Sequence, residues 1–339
     1  MCPFLRRAPE KNARGRQIMV HPQVAAILER VAQSPLPQYH EVPPAVARRF
    51  YRDTRGPLTP DPPPVESVQL LLAPGKTGAA GPAGGPVPVR AYRPKGAGKD
   101  EVLPALVFFH GGGWVIGDLD THDAVCRTLA NGARCAVFSV EYRKAPESPF
   151  PAAVDDCFSA LNFVFENAKK LSIETAKIAV GGDSAGGNLA TVIALMAREA
   201  GGPALSFQLL IYPATDQHYE FPSIERNGEG FLLTKKVMRY FRSHYLPRQE
   251  DWRDWRASPL LAKSLAGLPP AFVLTAGFDP LVDEGKAYAD RLAREGVSTE
   301  YRNYADMVHG FITMGRVLDT ANAALADCAQ ALRKAWRMA

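Results

Sequence analysis

Ile178-Ala179-Val180-Gly181-Gly182-Asp183-Ser184-Ala185-Gly186-Gly187-Asn188-Leu189-Ala190 is the stretch on which the fold turns. A short apolar run, Ile178–Val180, reads as a buried strand. A helix over Ala185–Ala200 follows almost at once. Between them Gly182–Gly186 fits G-x-S-x-G in the strand–turn–helix setting that this motif requires. The reason is steric: a serine held on so tight a turn needs small neighbours, and its hydroxyl then stands over the sheet edge. The helix N-terminus behind it favours developing negative charge. A glycine-rich βα turn with an incidental serine has the same local spelling, so the motif needs partners elsewhere in the chain.

Outward from this turn the alternation recurs. Val68–Ala73, Val87–Tyr92, Ala105–Phe109 and Ala136–Val140 read as strands before it, and Leu209–Tyr212, Ala271–Leu274 and Thr299–Tyr301 after it. Pro88 marks Val87–Tyr92 as an edge strand. Pro151–Phe165 reads as a helix with Val154, Phe158, Leu161 and Phe165 on one face. Continuous apolar strands alternating with helices predict an α/β fold: a mostly parallel central sheet flanked by helices on both faces.

Two stretches break the pattern. In residues 1–60 a helix over His21–Val31 presents Val24, Ile27, Leu28 and Val31 as one stripe. A second short helix runs from Pro44 through Tyr51, before the proline-rich connector Pro57–Pro64. Residues 217–260 are rich in aromatic and charged side chains. Together the two are expected to form a helical cap over the carboxyl edge of the sheet, where such sheets bind ligands. Phe231, Leu232 and Phe241 offer the apolar stripe a partner surface. The expected division is cap helices 1–60, first part of the core 61–216, cap insertion 217–260 and second part of the core 261–339. Pro74–Pro86 is a Gly/Ala/Pro loop to which no role is assigned.

Bulk composition narrows the partners. Over 339 residues, 46% hydrophobic and 22% charged are globular values, which exclude disordered and fibrous classes. The net charge of +5 is dispersed beyond the first seventeen residues, which argues against nucleic acid. The longest apolar runs are about seven residues, where a membrane span needs roughly 20. The five cysteines Cys2, Cys126, Cys135, Cys157 and Cys328 form no C-x-x-C pair and are odd in number, which points to reduced thiols in a cytoplasmic protein. Arg6, Arg7, Lys11, Arg14 and Arg16 precede no apolar core of a secretory signal. They read as a solvated terminus, with an organelle transit segment as the alternative.

Three further sites bear on the chemistry. His110-Gly111-Gly112-Gly113-Trp114 follows the strand Ala105–Phe109. Its glycines let backbone amides approach a ligand and face an oxyanion. A phosphate cradle is the competing reading, but no Walker lysine follows and G-x-G-x-x-G spacing is not met. His110 lies on the oxyanion side and is expected to organise the loop rather than act as a base. Asp279 follows the strand Ala271–Leu274, and His309 follows the last strand. The order Ser184, Asp279, His309 is that of a nucleophile, acid and base on a hydrolase sheet. Asp283 is the rival acid. It falls in a helix start, where an acid more often caps or faces the dipole.

With these residues in view, the chain resembles the hormone-sensitive-lipase-like group of α/β-hydrolase esterases, also called bacterial family IV. The matching segments are His110–Asp118, Tyr142–Pro151, Gly182–Ala190, Ser258–Ala262, Asp279–Glu284 and His309–Phe311, in the family's order. The helix at His21–Val31 is similar to the family's cap helix. The resemblance implies an α/β-hydrolase fold with a helical cap and a carboxylesterase that cleaves short- to medium-chain acyl esters. It implies Ser184 as nucleophile, Asp279 and His309 as its partners, and the amides of Gly112, Gly113 and Ala185 as the oxyanion hole. It implies no metal and no organic cofactor. The expected partners are a small-molecule ester and a second copy in a homodimer. Departures from the family pattern are Lys144 in place of an apolar residue, Val282 in place of arginine, and Asp306 ahead of His309 in place of glycine. Two other classes share the scaffold: a non-catalytic small-molecule receptor, which His309 argues against, and an amidase, acyltransferase or lyase using the same three residues.

Overall fold

In the strand β3 (Leu103–Phe109) every side chain is buried, and successive residues divide between two cores. Ala105, Val107 and Phe109 join one apolar cluster, and Leu106 and Phe108 the other. A strand covered on both faces carries no polar alternation, so this segment is an unbroken apolar run. The computed structural model describes residues 19–75, 85–218 and 220–338. The basic N-terminal cluster, Cys2 and most of the Pro74–Pro86 loop lie outside the described residues.

The other strands are β1 (Ser67–Ala73), β2 (Val87–Arg93), β4 (Ala136–Val140), β5 (Ile173–Asp183), β6 (Phe207–Ile211), β7 (Ala271–Phe278) and β8 (Thr299–Val308). They form one eight-stranded sheet in the order β1-β2-β4-β3-β5-β6-β7-β8. From β4 through β8 the neighbours run parallel, while β2 is antiparallel to both β1 and β4. Helices α3 (Asp123–Ala133) and α9 (Asp319–Ala335) cover one face with Leu129, Leu325 and Leu332. Helices α4 (Ala152–Glu166), α5 (Ala185–Glu199) and α8 (Val282–Arg294) cover the other with Leu161, Leu189 and Leu292. Among the described residues no helix is long and apolar enough to cross a membrane.

The expectation of β2 as an edge strand is corrected. It lies inside the sheet, and β1 is the edge. Pro88 is tolerated because pairing with β4 begins only at Val89; beyond it, Pro88 accepts a bond from the Glu141 amide through its carbonyl. A missing N–H costs nothing where only an acceptor is needed.

Four more helices lie outside the sheet layers: α1 (Pro22–Gln33), α2 (Pro44–Arg55), α6 (Pro222–Asn227) and α7 (Lys235–Tyr245). Val24 and Ile27 of α1 are buried in the same cluster that Leu28, Phe231 and Leu232 pack against, while Val31 is exposed. Phe241 goes instead to the opposite cluster, with Ala47 and Tyr51 of α2. Strands β3, β5, β7 and β8 all point the same way, so their last residues deliver His110, Ser184, Asp279 and His309 to one edge of the sheet.

Candidate active site

Ser184 stands between β5 and α5 with φ 56° and ψ −118°. A non-glycine residue in that region is strained by roughly 1–3 kcal/mol. The surrounding packing holds it there. The Ser184 amide donates to the Ile211 carbonyl at 2.9 Å, and its own carbonyl accepts from Asn188 at 3.0 Å. A Cβ at Gly186 would lie 1.8 Å from the Phe109 carbonyl oxygen, so a side chain there would force β3 and α5 apart.

The imidazole of His309 joins the serine to a carboxylate. Its Nε2 lies 2.8 Å from Ser184 Oγ, and its Nδ1 lies 2.7 Å from Asp279 Oδ2. A carboxylate only accepts, so Nδ1 carries the proton and Nε2 is left free to take one from the hydroxyl. Asp279 is fully buried, and its other oxygen accepts from the Leu281 amide at 2.8 Å. The rival acid goes elsewhere: Asp283 accepts from the Ser223 amide at 2.8 Å and from Arg226 Nη2 at 2.9 Å. The structure thus brings Ser184, His309 and Asp279 together and ties Asp283 to α6.

The glycine loop meets the serine from the β3 side. Gly112 has φ 124°, a backbone conformation that favours glycine. Gly112, Gly113 and Ala185 line one pocket with Ser184 and His309. Ala185 opens α5, so its amide belongs to the set that has no partner within the helix. Asp183, the residue before the serine, anchors this loop: its Oδ1 accepts from the Gly111 amide at 2.8 Å and lies 3.1 Å from His122 Nε2. Burial alone raises the Asp183 carboxyl, but His122, the Gly111 amide and His110 outweigh it and hold the group below the ordinary carboxylate value.

His110 is fully buried, and its ring stacks on Tyr142 at 4.3 Å. Its Nδ1 lies 2.8 Å from the Gly111 carbonyl, while the Tyr142 hydroxyl donates to the His110 carbonyl at 2.7 Å. Burial pushes the His110 imidazole down to about 4, so it is neutral at physiological pH. Its ring and its carbonyl are thus both held by the loop and by Tyr142.

The pocket, about 750 Å³ with its open mouth, has walls from outside the sheet layers. Val237, Met238 and Phe241 come from α7, and Tyr51 and Arg55 from α2. Trp114 of the glycine loop stacks on Tyr245 of α7 with ring centroids 4.5 Å apart and planes 2° from parallel. The sequence reading did not single out Tyr51, Arg55 or the anchoring role of Asp183. The first two are brought in by a helix distant in the chain. The signal available for α2 was the spacing of Arg48, Arg52 and Arg55, which share one helix face.

A serine hydroxyl, an imidazole and a buried carboxylate stand in one hydrogen-bonded line at the carboxyl edge of a parallel sheet, the geometry found in serine hydrolases. Residues 106–313 match the family described as alpha/beta hydrolase fold. The chain is 45% identical over 259 residues to the carboxylic ester hydrolase LipN of Mycobacterium tuberculosis, covering 75% of this chain and 68% of that one. It is 44% identical over 252 residues to the carboxylesterase NlhH of the same species, covering 74% and 78%. An ester-hydrolase from the metagenome of Lake Arreo, solved with a derivative of bipyridine phosphonate, superposes with a TM-score of 0.88 at 42% identity, covering 94% of this chain and all of that one (100%). The chain belongs to the hormone-sensitive-lipase-like carboxylesterases of the α/β-hydrolase superfamily. It is a carboxylic-ester hydrolase.

Proposed function

We propose that the protein is a serine carboxylesterase for short- to medium-chain acyl esters, with Ser184 as nucleophile, His309 as general base and Asp279 as the group that orients the imidazole. The observation that carries this reading is the unbroken Asp279–His309–Ser184 line on the pocket floor. His309 Nε2 takes the hydroxyl proton as Ser184 Oγ attacks the ester carbonyl. Asp279 stabilises the imidazolium that forms. The amides of Gly112, Gly113 and Ala185 receive the oxyanion; losing one such donor costs on the order of 10²–10³ in rate. The alcohol leaves with the proton from His309, and water, activated in the same way, releases the acid from Ser184. No step calls for a metal or an organic cofactor.

The helices within residues 1–60 and 217–260 serve as the cap. Tyr51 and Arg55 of the first segment and Val237, Met238 and Phe241 of the second support this, since all five line the pocket. The limited, largely apolar space supports acyl groups of short to medium length. A cytoplasmic setting is supported by four buried, unpaired thiols at Cys126, Cys135, Cys157 and Cys328. A homodimer completes the reading, and sedimentation velocity tests it.

Ser184→Ala tests the whole. Hydrolysis of a panel of nitrophenyl esters of increasing acyl length is expected to vanish at an unchanged melting temperature. In the wild type an organophosphate is expected to label Ser184 alone. Full activity in the alanine variant would overturn the assignment.

A further inference from the structure

Helix α2 turns three arginines toward the rest of the protein, and two of them are satisfied there. Arg48 donates from Nε to the Val115 carbonyl and from Nη2 to the Ala145 carbonyl, each at 2.8 Å, and pairs with Glu147 at 2.6 Å. Arg52 Nε lies 2.6 Å from Asp118 Oδ2. Arg55 continues the same face one turn on. It lines the catalytic pocket and, among the described residues, makes no ion pair. Its Nη1 is buried and has no hydrogen-bond partner. The carboxylate in the pocket wall, Asp183, is already committed to the Gly111 amide and His122. The Arg55 guanidinium carbon lies 5.5 Å from the centre of the Tyr51 ring. A buried guanidinium donor left without an acceptor is costly, which favours an occupant that supplies one.

The position of Arg55 says which part of a substrate meets it. A methyl group placed on Gly310 would lie 3.2 Å from Arg55 Nη2, so the guanidinium sits beside the residue that follows His309. The imidazole hands its proton to the leaving alcohol, so the alcohol half lies on the His309 side of the reacting carbon. Arg55, Tyr39 and Leu232 also line a second cavity of about 730 Å³, whose other walls include Ile27, Phe50 and Leu58. An alcohol half extending from His309 therefore passes Arg55 and then meets apolar surface.

Resting on the esterase reading above, we infer that Arg55 is a specificity-determining residue that selects esters whose alcohol half carries a carboxylate on an apolar body. The planar fork of donors matches a carboxylate in two parallel bonds.

The test compares 4-acetoxybenzoate with 4-acetoxybenzamide, in which a neutral carboxamide replaces the carboxylate of the alcohol half. In Arg55→Met the ratio of kcat/KM for the carboxylate over the amide is expected to fall about 10- to 100-fold from its wild-type value, the range for hydrogen bonds to a charged group. Arg55→Lys is expected to retain part of the ratio, and raising the salt concentration to lower it in the wild type. Taking the ratio cancels any general loss of activity in a variant. A ratio within twofold of wild type in Arg55→Met would overturn the inference. So would a wild-type preference for a carboxylate placed in the acyl half, as in monophenyl succinate. Should the variants fail to fold, inhibition of wild-type nitrophenyl acetate hydrolysis decides: 4-hydroxybenzoate is expected to bind at least 10-fold more tightly than 4-hydroxybenzamide, and equal inhibition would overturn the inference. Failure of the esterase reading itself looks different, since neither acetate would then be hydrolysed.

Discussion

Replacing Asp183 with asparagine tests whether the glycine loop is held in place by the residue beside Ser184. Asp183 is buried, with one oxygen on the Gly111 amide and close to His122. A Cβ at Gly111 would lie 2.4 Å from the other oxygen, so the carboxylate fills the space that a side chain at position 111 would need. The amide of Asp183→Asn keeps a neutral acceptor for Gly111 in one orientation and presents a donor to a donor in the other. Loss of a charge-assisted bond in a buried site costs about 1.5–3 kcal/mol. For a chain of this size that corresponds to a fall in Tm of roughly 2–4 °C. The catalytic effect should be separate. Gly112 and Gly113 follow Gly111 directly, and a donor that acts only on the oxyanion contributes to the transition state and not to substrate binding. At 25 °C kcat and kcat/KM should therefore fall together by at least about 10-fold, with KM unchanged. The assay is steady-state hydrolysis of a short-chain ester beside a thermal melt. A lowered Tm with kcat/KM within twofold of wild type would refute the reasoning, because the loop would then keep its place without the Asp183 bond.

Other expectations concern separate groups. Asp279→Asn should lower kcat by roughly 10⁴-fold, as a tautomer defect does in serine hydrolases. Asp283→Asn, which loosens only α6 and Arg226, should cost about 1 kcal/mol of stability with little change in kcat; paired kinetics and melts check both. His110 titrates near 4 when folded and near 6.5 when unfolded, so between those values the unfolded chain binds more protons. Its contribution, about 3 kcal/mol, is fully present above pH 6.5 and lost as pH falls toward 4. Urea melts from pH 4 to 7 should show a shallower slope in His110→Gln. Burial pushes the Cys126 thiol up to about 12 and also raises those of Cys135, Cys157 and Cys328, so a thiol-blocking reagent should leave the activity of the folded enzyme intact.

The strands of the sheet interior were legible because burial on both faces leaves only apolar residues in Ala105–Phe109 and Ala136–Val140. Motif spelling, joined to chain order, was enough to nominate Ser184, Asp279 and His309. Edge strands were harder to read. Most of β8 beyond Tyr301 is half-exposed and polar, so its run to Val308 is not marked by hydrophobicity. Helix α9 buries alanines at 321, 324, 329 and 331 between few large side chains, and a search for large apolar residues at helical spacing passes over it. Pro88 misled because a proline excludes one hydrogen bond, not a position in the sheet. Arg55 was invisible for another reason. Its significance lies in what the other arginines of α2 find and it does not, and a sequence carries no record of partners.

The crowding around the serine turn also decides where new substrate preferences can arise. At Gly186 any side chain would collide with the backbone of β3, and at Gly113 it would run into the Phe241 ring, 2.2 Å away. Random substitution in that floor yields mostly dead protein, whatever ester is offered. Val237, Met238 and Tyr51 face the same space from helices, and Leu232 from the connection between α6 and α7, none of which the reacting backbone passes through. A lineage adapting to a new ester, or a library built to imitate one, therefore has its productive choices in the roof, where many residues can be exchanged without disturbing the chemistry below.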